Sequence, residues 1–127
     1  MAIKGHGIDL VEVSRIAHMQ TDHGPHFLDR CFTAAEQEYC LSHKISGERL
    51  AGRFAAKEAV LKVLGTGWRG EIKWTDMEIL NDASGKPELT LSGETARIAA
   101  SLGITRWHIS ITHTHDHAMA SAIGESA

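Results

Sequence analysis

The 127-residue sequence is poor in cysteine and proline, with two of each, and it has no apolar run of membrane-spanning length. Its first residues, MAIKGHGIDL, include one lysine and no continuous apolar segment, so they do not resemble a secretory signal peptide. We therefore expect a cytoplasmic location. Cys31 and Cys40 lack the CxxC spacing of common zinc and redox motifs. In a reducing compartment we expect both to be buried free thiols.

The sequence also lacks an excess of basic residues. Lysine and arginine number 13 against 16 acidic residues, which gives a net charge of -3 with histidines neutral. Non-specific binding to nucleic acid requires a basic surplus, so we expect no nucleic-acid partner. There are no repeats, linkers or low-complexity segments. A chain of this length forms one domain of ordinary size, and we expect a single domain over residues 1–127.

The hydrophobic pattern predicts alternating groups of strands and helices. Strands are predicted at residues 3–10, 74–80, 87–91, 107–112 and 118–123. Helices are predicted at residues 15–20, 25–30, 33–42 and 93–102, and the longest lies within the stretch 49–67. Ser14, Ser46 and Ser92 are predicted N-caps, and Thr33 with Glu36 predicts a capping box. This order predicts an α+β fold with an antiparallel sheet, one long central helix and several shorter helices.

The central helix is the most informative stretch. At 100° per residue, Ala51, Ala55, Glu58 and Lys62 form one strip. The small alanines let another backbone or a ligand come close. From this stretch alone, the favoured interpretation of Glu58 and Lys62 is an ordinary exposed pair worth about 0.3–0.5 kcal/mol.

A second strip on this helix carries Arg53 and Lys57, which are like-charged and four residues apart. Such a pair is mildly destabilising in an isolated helix. A bound anion would explain why both cations are present.

The first predicted strand carries Asp9 between Ile8 and Leu10. A carboxylate between apolar neighbours is unusual unless it is paired or binds a metal, and both alternatives are open here. Gly5 and Gly7, in the same strand, indicate that another backbone packs closely against it.

Asp9, Glu58, Lys62, Arg53 and His113 together form a candidate site. Two carboxylates suit a hard cation, and a group of cations suits phosphate. The combination favours phosphoryl chemistry on a nucleotide-like ligand. His115 and His117 alternate with His113 and could extend a metal-binding tract, but we favour a turn at that point.

Four blocks of the sequence match a known family. They are GIDLVEVSRI, AGRFAAKEAVLKVLGTG, WTDMEIL followed by GKPELTLSG, and ISITHTHDHAMASAI. In their order and spacing, from about Gly7 to Ile123, the chain resembles the holo-acyl-carrier-protein synthases, the small bacterial members of the phosphopantetheinyl transferases.

The resemblance implies a magnesium-dependent transfer of 4′-phosphopantetheine from coenzyme A to a serine of apo acyl carrier protein. It implies that Asp9 and Glu58 hold the metal and that Lys62 acts with them in catalysis. It also implies a coenzyme A site that includes Arg53, Lys62, Gly65 and His113. Family members are homotrimers with active sites between subunits, and the small apolar last strand, AMASAI, agrees with a strand covered on both faces.

Some expectations remain open at this point. His113 is expected to bind the 3′-phosphate of coenzyme A, with a role as general base as the alternative, and a metal-held water or Glu58 could equally be the base. Arg15 is expected to contact the acidic carrier protein, although the following segment, QTDHGPHF, is less basic than the family pattern. The alternative function is another magnesium-dependent enzyme that cleaves nucleotide pyrophosphates.

Overall fold

A computed structural model describes all 127 residues. In chain order its elements are β1 (Ile3–Glu12), α1 (Val13–His23), α2 (Pro25–Cys31), α3 (Ala34–Leu41), α4 (Ser46–Leu64), a 3-10 turn (Trp74–Asp76), β2 (Met77–Asn81), β3 (Pro87–Leu91), α5 (Gly93–Ser101), β4 (Ile104–His113) and β5 (His117–Ser126). The α+β class, the antiparallel pairing and the long central helix agree with the prediction.

The strands form two antiparallel sheets. β2 and β3 make a separate hairpin, and the larger sheet has the order β1-β5-β4. The last strand therefore lies between the first strand and its own hairpin partner. Within this sheet Asp9 of β1 lies opposite Ala120 of β5. The strand predicted at residues 3–10 places Asp9 beside its end, whereas β1 continues to Glu12 and Asp9 lies in the interior of a ten-residue strand.

Helix α4 packs directly on β1 and β5. Ala51, Ala55 and Ala59 of α4 are fully buried. A Cβ atom on Gly7 would lie only 2.1 Å from the carbonyl oxygen of Ala59, so strand and helix approach each other backbone to backbone. The prediction that Gly5 and Gly7 mark such a close approach is confirmed, since a Cβ on Gly5 would lie 3.0 Å from Val63. Because Ala51 and Ala55 have no exposed surface, the alanine strip is not an open floor for a ligand.

The predicted helix caps have mixed outcomes. Thr33 and Glu36 form the expected capping box at the start of α3. Ser92 precedes α5 as predicted, but its side chain makes no capping hydrogen bond. Ser14 and Ser46 are not N-caps, because α1 begins at Val13, with Glu12 in the cap position, and α4 begins at Ser46 itself.

The first three residues of the strand predicted at 74–80 are not part of a strand in the structure. Trp74–Asp76 form a 3-10 turn, and the strand begins at Met77. Trp74 is buried against Phe54 of α4, with ring centroids 5.0 Å apart. The alternation of polar and apolar residues predicted a strand from Trp74. In the structure Trp74 is buried because its side chain packs on Phe54, and the two residues after it belong to a 3-10 turn.

The position of Lys57 contradicts the interpretation that Arg53 and Lys57 together bind an anion. Its side chain is fully buried, and its Nζ donates to Glu36 Oε1 at 2.7 Å and to the carbonyl oxygens of Cys31 and Trp74. Glu36 also accepts from the backbone N–H of Ile79 at 2.8 Å. Burial lowers the pKa of Lys57, and the Glu36 carboxylate opposes that shift. The charge of Lys57 is therefore balanced inside the protein, and an anion is not needed to explain it.

Both cysteines are buried and free, as expected. Burial raises the pKa of Cys40 to about 11. None of the helices combines the length and the apolar character that crossing a membrane requires.

Candidate active site

The structure brings Asp9, Glu58 and Lys62 together where β1 packs on α4. Lys62 Nζ donates to Asp9 Oδ1 at 3.2 Å and to the carbonyl oxygen of Ile8 at 2.8 Å. The Asp9 side chain is 17% exposed and that of Lys62 is 53% exposed. Lys62 thus forms its ion pair with Asp9 across two elements. The ordinary pair between Glu58 and Lys62 along the helix is not formed within 4.0 Å.

Glu58 lies in the same electrostatic environment. Burial raises the pKa of Glu58, and the negative charge of Asp9 raises it further. Arg15 and Lys62 oppose both effects. Two carboxylates that destabilise each other's charge in a half-buried position gain free energy when a cation or a proton lies between them.

The donors present suit a cation of a particular kind. No three His, Cys, Asp or Glu side chains cluster closely enough to hold a metal by themselves. Mg²⁺ commonly takes one or two carboxylates and completes its shell with waters and phosphate oxygens of the substrate. Asp9 and Glu58 therefore fit Mg²⁺ that is also held by a phosphate-bearing ligand, and they fit a metal site built entirely from protein poorly.

A second group of predicted residues lies in a separate cavity of about 140 Å³. Its lining is almost entirely polar or glycine and includes Glu48, Arg49, Gly52, Arg53, Asn81, Gly85, Pro87, Ile111 and His113. Asp9, Glu58 and Lys62 do not line it. The structure therefore divides the predicted site residues of one chain into two groups.

Arg53 is held rigidly at the edge of this cavity. Its Nη2 donates to Asn81 Oδ1 at 2.7 Å, and its guanidinium carbon lies 4.5 Å from the ring centroid of Tyr39. The side chain is almost fully buried, yet its Nε has no hydrogen-bond partner, and the same is true of Nε of Arg49. Buried donors without partners are costly, and neither Nε is exposed to the cavity. The cavity is lined by both arginines, so their two positive charges favour an anion in it.

His113 lies at the end of β4 and contacts the first turn of α4. Its Nδ1 lies 3.1 Å from Glu48 Oε2, with the two side chains 27% and 14% exposed. Glu48, Arg49 and Asn81 were not predicted as site residues. Arg49 could have been found, because it stands four residues before Arg53 and extends the same helix strip.

Gly65 belongs to the first group by position. It caps the C-terminal end of α4 with a left-handed backbone, φ 76°, which favours glycine. Its N–H donates to the carbonyl oxygens of Leu61 and Lys62 at 3.0 and 3.2 Å. It therefore ends the helix directly after the Lys62 turn and does not line the Arg53 cavity.

Arg15 lines a third feature, a largely apolar pocket of about 360 Å³ between α1, α2 and α4. Phe27, Phe54 and Trp74 contribute to its apolar wall, and Arg15 and Arg30 are exposed side chains of its lining. The Arg15 guanidinium carbon lies 5.9 Å from the ring centroid of Phe54. The positive charge of Arg15 also lowers the pKa of Glu58. Arg15 therefore connects this pocket electrostatically with the carboxylates of Asp9 and Glu58.

The remaining histidines of the last hairpin lie outside both groups. His115 is in the turn between β4 and β5, where a hydrogen bond with Asp116 raises its pKa. His117 begins β5 rather than lying in the turn. His108 lies 3.2 Å from Glu125 on the neighbouring strand, as a structural residue would.

Comparison with known proteins identifies a family and relatives of nearly the same length. Residues 5–121 match the family model of the 4′-phosphopantetheinyl transferase superfamily. The chain is 46% identical to holo-acyl-carrier-protein synthase of Koribacter versatilis, over 97% of this chain and 98% of that protein. It is 48% identical to the Protochlamydia amoebophila protein of the same name, over 96% of this chain and 98% of that protein.

Solved structures give the same result. The crystal structure of the Neisseria meningitidis holo-acyl-carrier-protein synthase superposes with a TM-score of 0.88 at 33% identity, covering 98% of this chain and 99% of that one. The Bacillus anthracis holo-acyl-carrier-protein synthase, solved in complex with CoA (3′,5′-ADP), superposes with a TM-score of 0.82 at 36% identity over the whole of both chains. The chain therefore belongs to the holo-acyl-carrier-protein synthases, enzymes of the 4′-phosphopantetheinyl transferase superfamily.

Proposed function

We propose that this protein transfers 4′-phosphopantetheine from coenzyme A to a serine hydroxyl of an apo acyl carrier protein and releases adenosine 3′,5′-bisphosphate. One observation carries the proposal: Asp9, Glu58 and Lys62 meet at the junction of β1 and α4, where two acids share one half-buried environment. We infer that residues 1–127 act as one such domain in the cytoplasm. The relative from Bacillus anthracis, solved in complex with CoA (3′,5′-ADP), supports the choice of substrate.

Asp9 and Glu58 are the residues that would hold Mg²⁺. When bound, the ion would neutralise charge on the pyrophosphate and on the leaving phosphate. Lys62 would turn its ammonium from Asp9 and the Ile8 carbonyl toward the same phosphate oxygens, since its side chain is half-exposed and free to reorient. Removal of Mg²⁺ by chelation should abolish transfer and its return should restore it, whereas Glu58→Gln should stay inactive at any Mg²⁺ concentration.

In the transfer step the serine oxygen forms a bond to the phosphorus that carries pantetheine. The bond from that phosphorus to the bridging oxygen of the pyrophosphate breaks, and adenosine 3′,5′-bisphosphate leaves with the electron pair. The serine proton goes to Glu58 or to a water beside it.

We assign the 3′-phosphate of coenzyme A to the cavity of Arg53 and His113. Arg49 and Arg53 both line this cavity, and their two positive charges support an anion there. His113→Ala should therefore raise the KM for coenzyme A and leave turnover nearly normal. Complete loss of turnover at saturating coenzyme A would instead support a general-base role for His113.

The separation of the two groups supports an assembly with the active site between subunits. Coenzyme A would bridge the Arg53 cavity of one copy and the carboxylates of the next in a homotrimer. The outer face of the large sheet exposes Ile8 and Leu10, at 50% and 63%, which would provide an apolar contact. At a coenzyme A concentration far below the raised KM of His113→Ala/Arg53→Ala chains, these chains and Glu58→Gln chains should each be almost inactive. Mixing the two should restore activity in hybrid trimers. No recovery after verified subunit exchange would contradict an intersubunit site.

The competing function, cleavage of nucleotide pyrophosphates without a carrier, would use the same Asp, Glu and Lys side chains. Chromatography of the reaction with and without apo carrier separates the two. Release of adenosine 3′,5′-bisphosphate only in the presence of carrier supports transfer. Equal release without carrier supports hydrolysis.

A further inference from the structure

The cavity of Arg53 and His113 includes one residue with the wrong sign for an anion site. Glu48 lines the same wall as Arg49 and Arg53, and its side chain is only 14% exposed. An unengaged carboxylate in this position would repel a phosphate and weaken its binding. The structure shows Glu48 engaged, because its Oε2 lies 3.1 Å from Nδ1 of His113.

This contact determines which nitrogen of the His113 ring is available to donate a hydrogen bond to a ligand. A carboxylate oxygen has lone pairs only, so this contact is attractive only when the ring nitrogen that faces Glu48 carries a proton. A neutral ring protonated at Nδ1 presents a lone pair at Nε2, which a phosphate cannot use. Only the doubly protonated ring donates an N–H to the anion while Nδ1–H stays against Glu48.

We propose that Glu48 is a positioning residue for coenzyme A recognition: it holds Nδ1 of His113 so that Nε2–H is left to donate to the 3′-phosphate. The inference rests on the proposed function and deepens it. In this account the negative charge of Glu48 assists anion binding through His113 rather than opposing it. Glu48 does not touch the reacting atoms, because Asp9, Glu58 and Lys62 lie outside its cavity.

A purely structural explanation exists for Glu48. It lies in the first turn of α4, where an acidic side chain stabilises the helix through its dipole. That role would not depend on His113 or on the presence of a 3′-phosphate in the substrate. Dephospho-coenzyme A, which lacks this phosphate, therefore separates the two explanations.

The test compares Glu48→Ala, Glu48→Gln and unaltered protein with coenzyme A and with dephospho-coenzyme A. Loss of an ordered contact to a charged group predicts that Glu48→Ala raises the KM for coenzyme A about tenfold with kcat unchanged. The KM for dephospho-coenzyme A should not change. Glu48→Gln retains an oxygen that faces Nδ1 and should raise the KM for coenzyme A less than Glu48→Ala. Glu38→Ala, an exposed glutamate of α3, is the matched control and should change neither KM.

The effect of Glu48→Ala should also disappear when His113 is already alanine. A lower KM for coenzyme A in Glu48→Ala would overturn the proposal, because it would mean that Glu48 only repels the phosphate. Equal rises with both substrates, or an undiminished effect in the His113→Ala background, would overturn it in favour of a structural role. Absence of carrier modification by the unaltered protein would instead reject the proposed function itself.

A second measurement uses the unaltered protein and so does not depend on the folding of any variant. ¹⁵N–¹H correlation spectra of the histidine rings should show His113 protonated at Nδ1 alone or at both nitrogens. On addition of adenosine 3′,5′-bisphosphate, both nitrogens should be protonated. A ring protonated only at Nε2, with or without the ligand, would contradict the proposal.

Discussion

Lys57 Nζ lies 2.7 Å from Glu36 Oε1, and both side chains are fully buried between α3 and α4. The lysine also donates to the carbonyl oxygens of Cys31 and Trp74, and Glu36 caps α3 at Thr33. One buried ion pair thus connects α2, α3, α4 and the turn before β2. Two of the elements that it fixes, at Cys31 and Trp74, line the pocket beside Arg15.

Lys57→Met is expected to destabilise the protein by about 3–5 kcal/mol, because it leaves the Glu36 carboxylate buried without a cation. Urea unfolding followed by circular dichroism measures this loss. The double variant Lys57→Met/Glu36→Gln should cost clearly less than the sum of the two single changes, since it removes both charges. Strict additivity would mean that the two side chains do not stabilise each other.

Gly7→Ala should separate β1 from α4, because the new Cβ would meet the Ala59 carbonyl oxygen at 2.1 Å. We expect a loss of about 1–3 kcal/mol in stability. Since β1 carries Asp9, activity should fall further, by about 100-fold, through displacement of that carboxylate. Gly47→Ala is the matched control, because its Cβ would make an ordinary 3.6 Å contact with Val13. A fully active, stable Gly7→Ala protein would contradict the backbone contact.

Arg15→Glu should weaken binding of the acidic carrier protein and leave coenzyme A binding intact. The guanidinium lies at the apolar pocket between α1, α2 and α4, outside the cavity of Arg53. We expect the KM for the carrier to rise roughly tenfold at low salt, with a smaller rise at high salt. Arg97→Glu makes the same change in charge on exposed α5 and serves as the control. Equal weakening of carrier and coenzyme A binding would show that Arg15 acts on the whole site.

Neither cysteine should react rapidly with a thiol reagent in the folded protein. The thiolate is the reactive form, and burial raises the pKa of both thiols, that of Cys40 to about 11. Titration with Ellman's reagent at pH 8 should show slow labelling that becomes complete in urea. Rapid labelling of either thiol without denaturant would show that the α2–α3 region opens readily.

The sequence was sufficient for the order of the helices and strands. Of the five residues grouped as one candidate site, Asp9, Glu58 and Lys62 lie together in one chain, and Arg53 and His113 lie in a separate cavity. Gly7 and the alanines of α4 predicted a close backbone contact, and that contact is what brings the Asp9 strand to the helix. The order of elements and the close backbone contact follow from local spacing and residue size, which the sequence shows directly. The pairing of Asp9 with Glu58 as metal ligands came from the family resemblance.

What could not be predicted depends on contacts between distant residues. A helical projection places Lys57 and Arg53 on one strip but does not show what lies opposite, and Glu36 proved to be the partner of Lys57. The contact of Glu48 with His113 joins residues 65 positions apart through the β4 strand end and the α4 first turn, so no local pattern indicates it. Charged residues that bind internal partners look identical, in sequence, to those that bind ligands.

The most direct test of the proposed function is the intact mass of an apo acyl carrier protein after incubation with this enzyme, coenzyme A and Mg²⁺. A carrier whose acceptor serine is replaced by alanine is the control. We predict that the carrier gains the mass of one phosphopantetheine group, that the control carrier gains none, and that Glu58→Gln modifies neither. An unmodified carrier in the presence of folded enzyme, intact coenzyme A and Mg²⁺ would contradict the account.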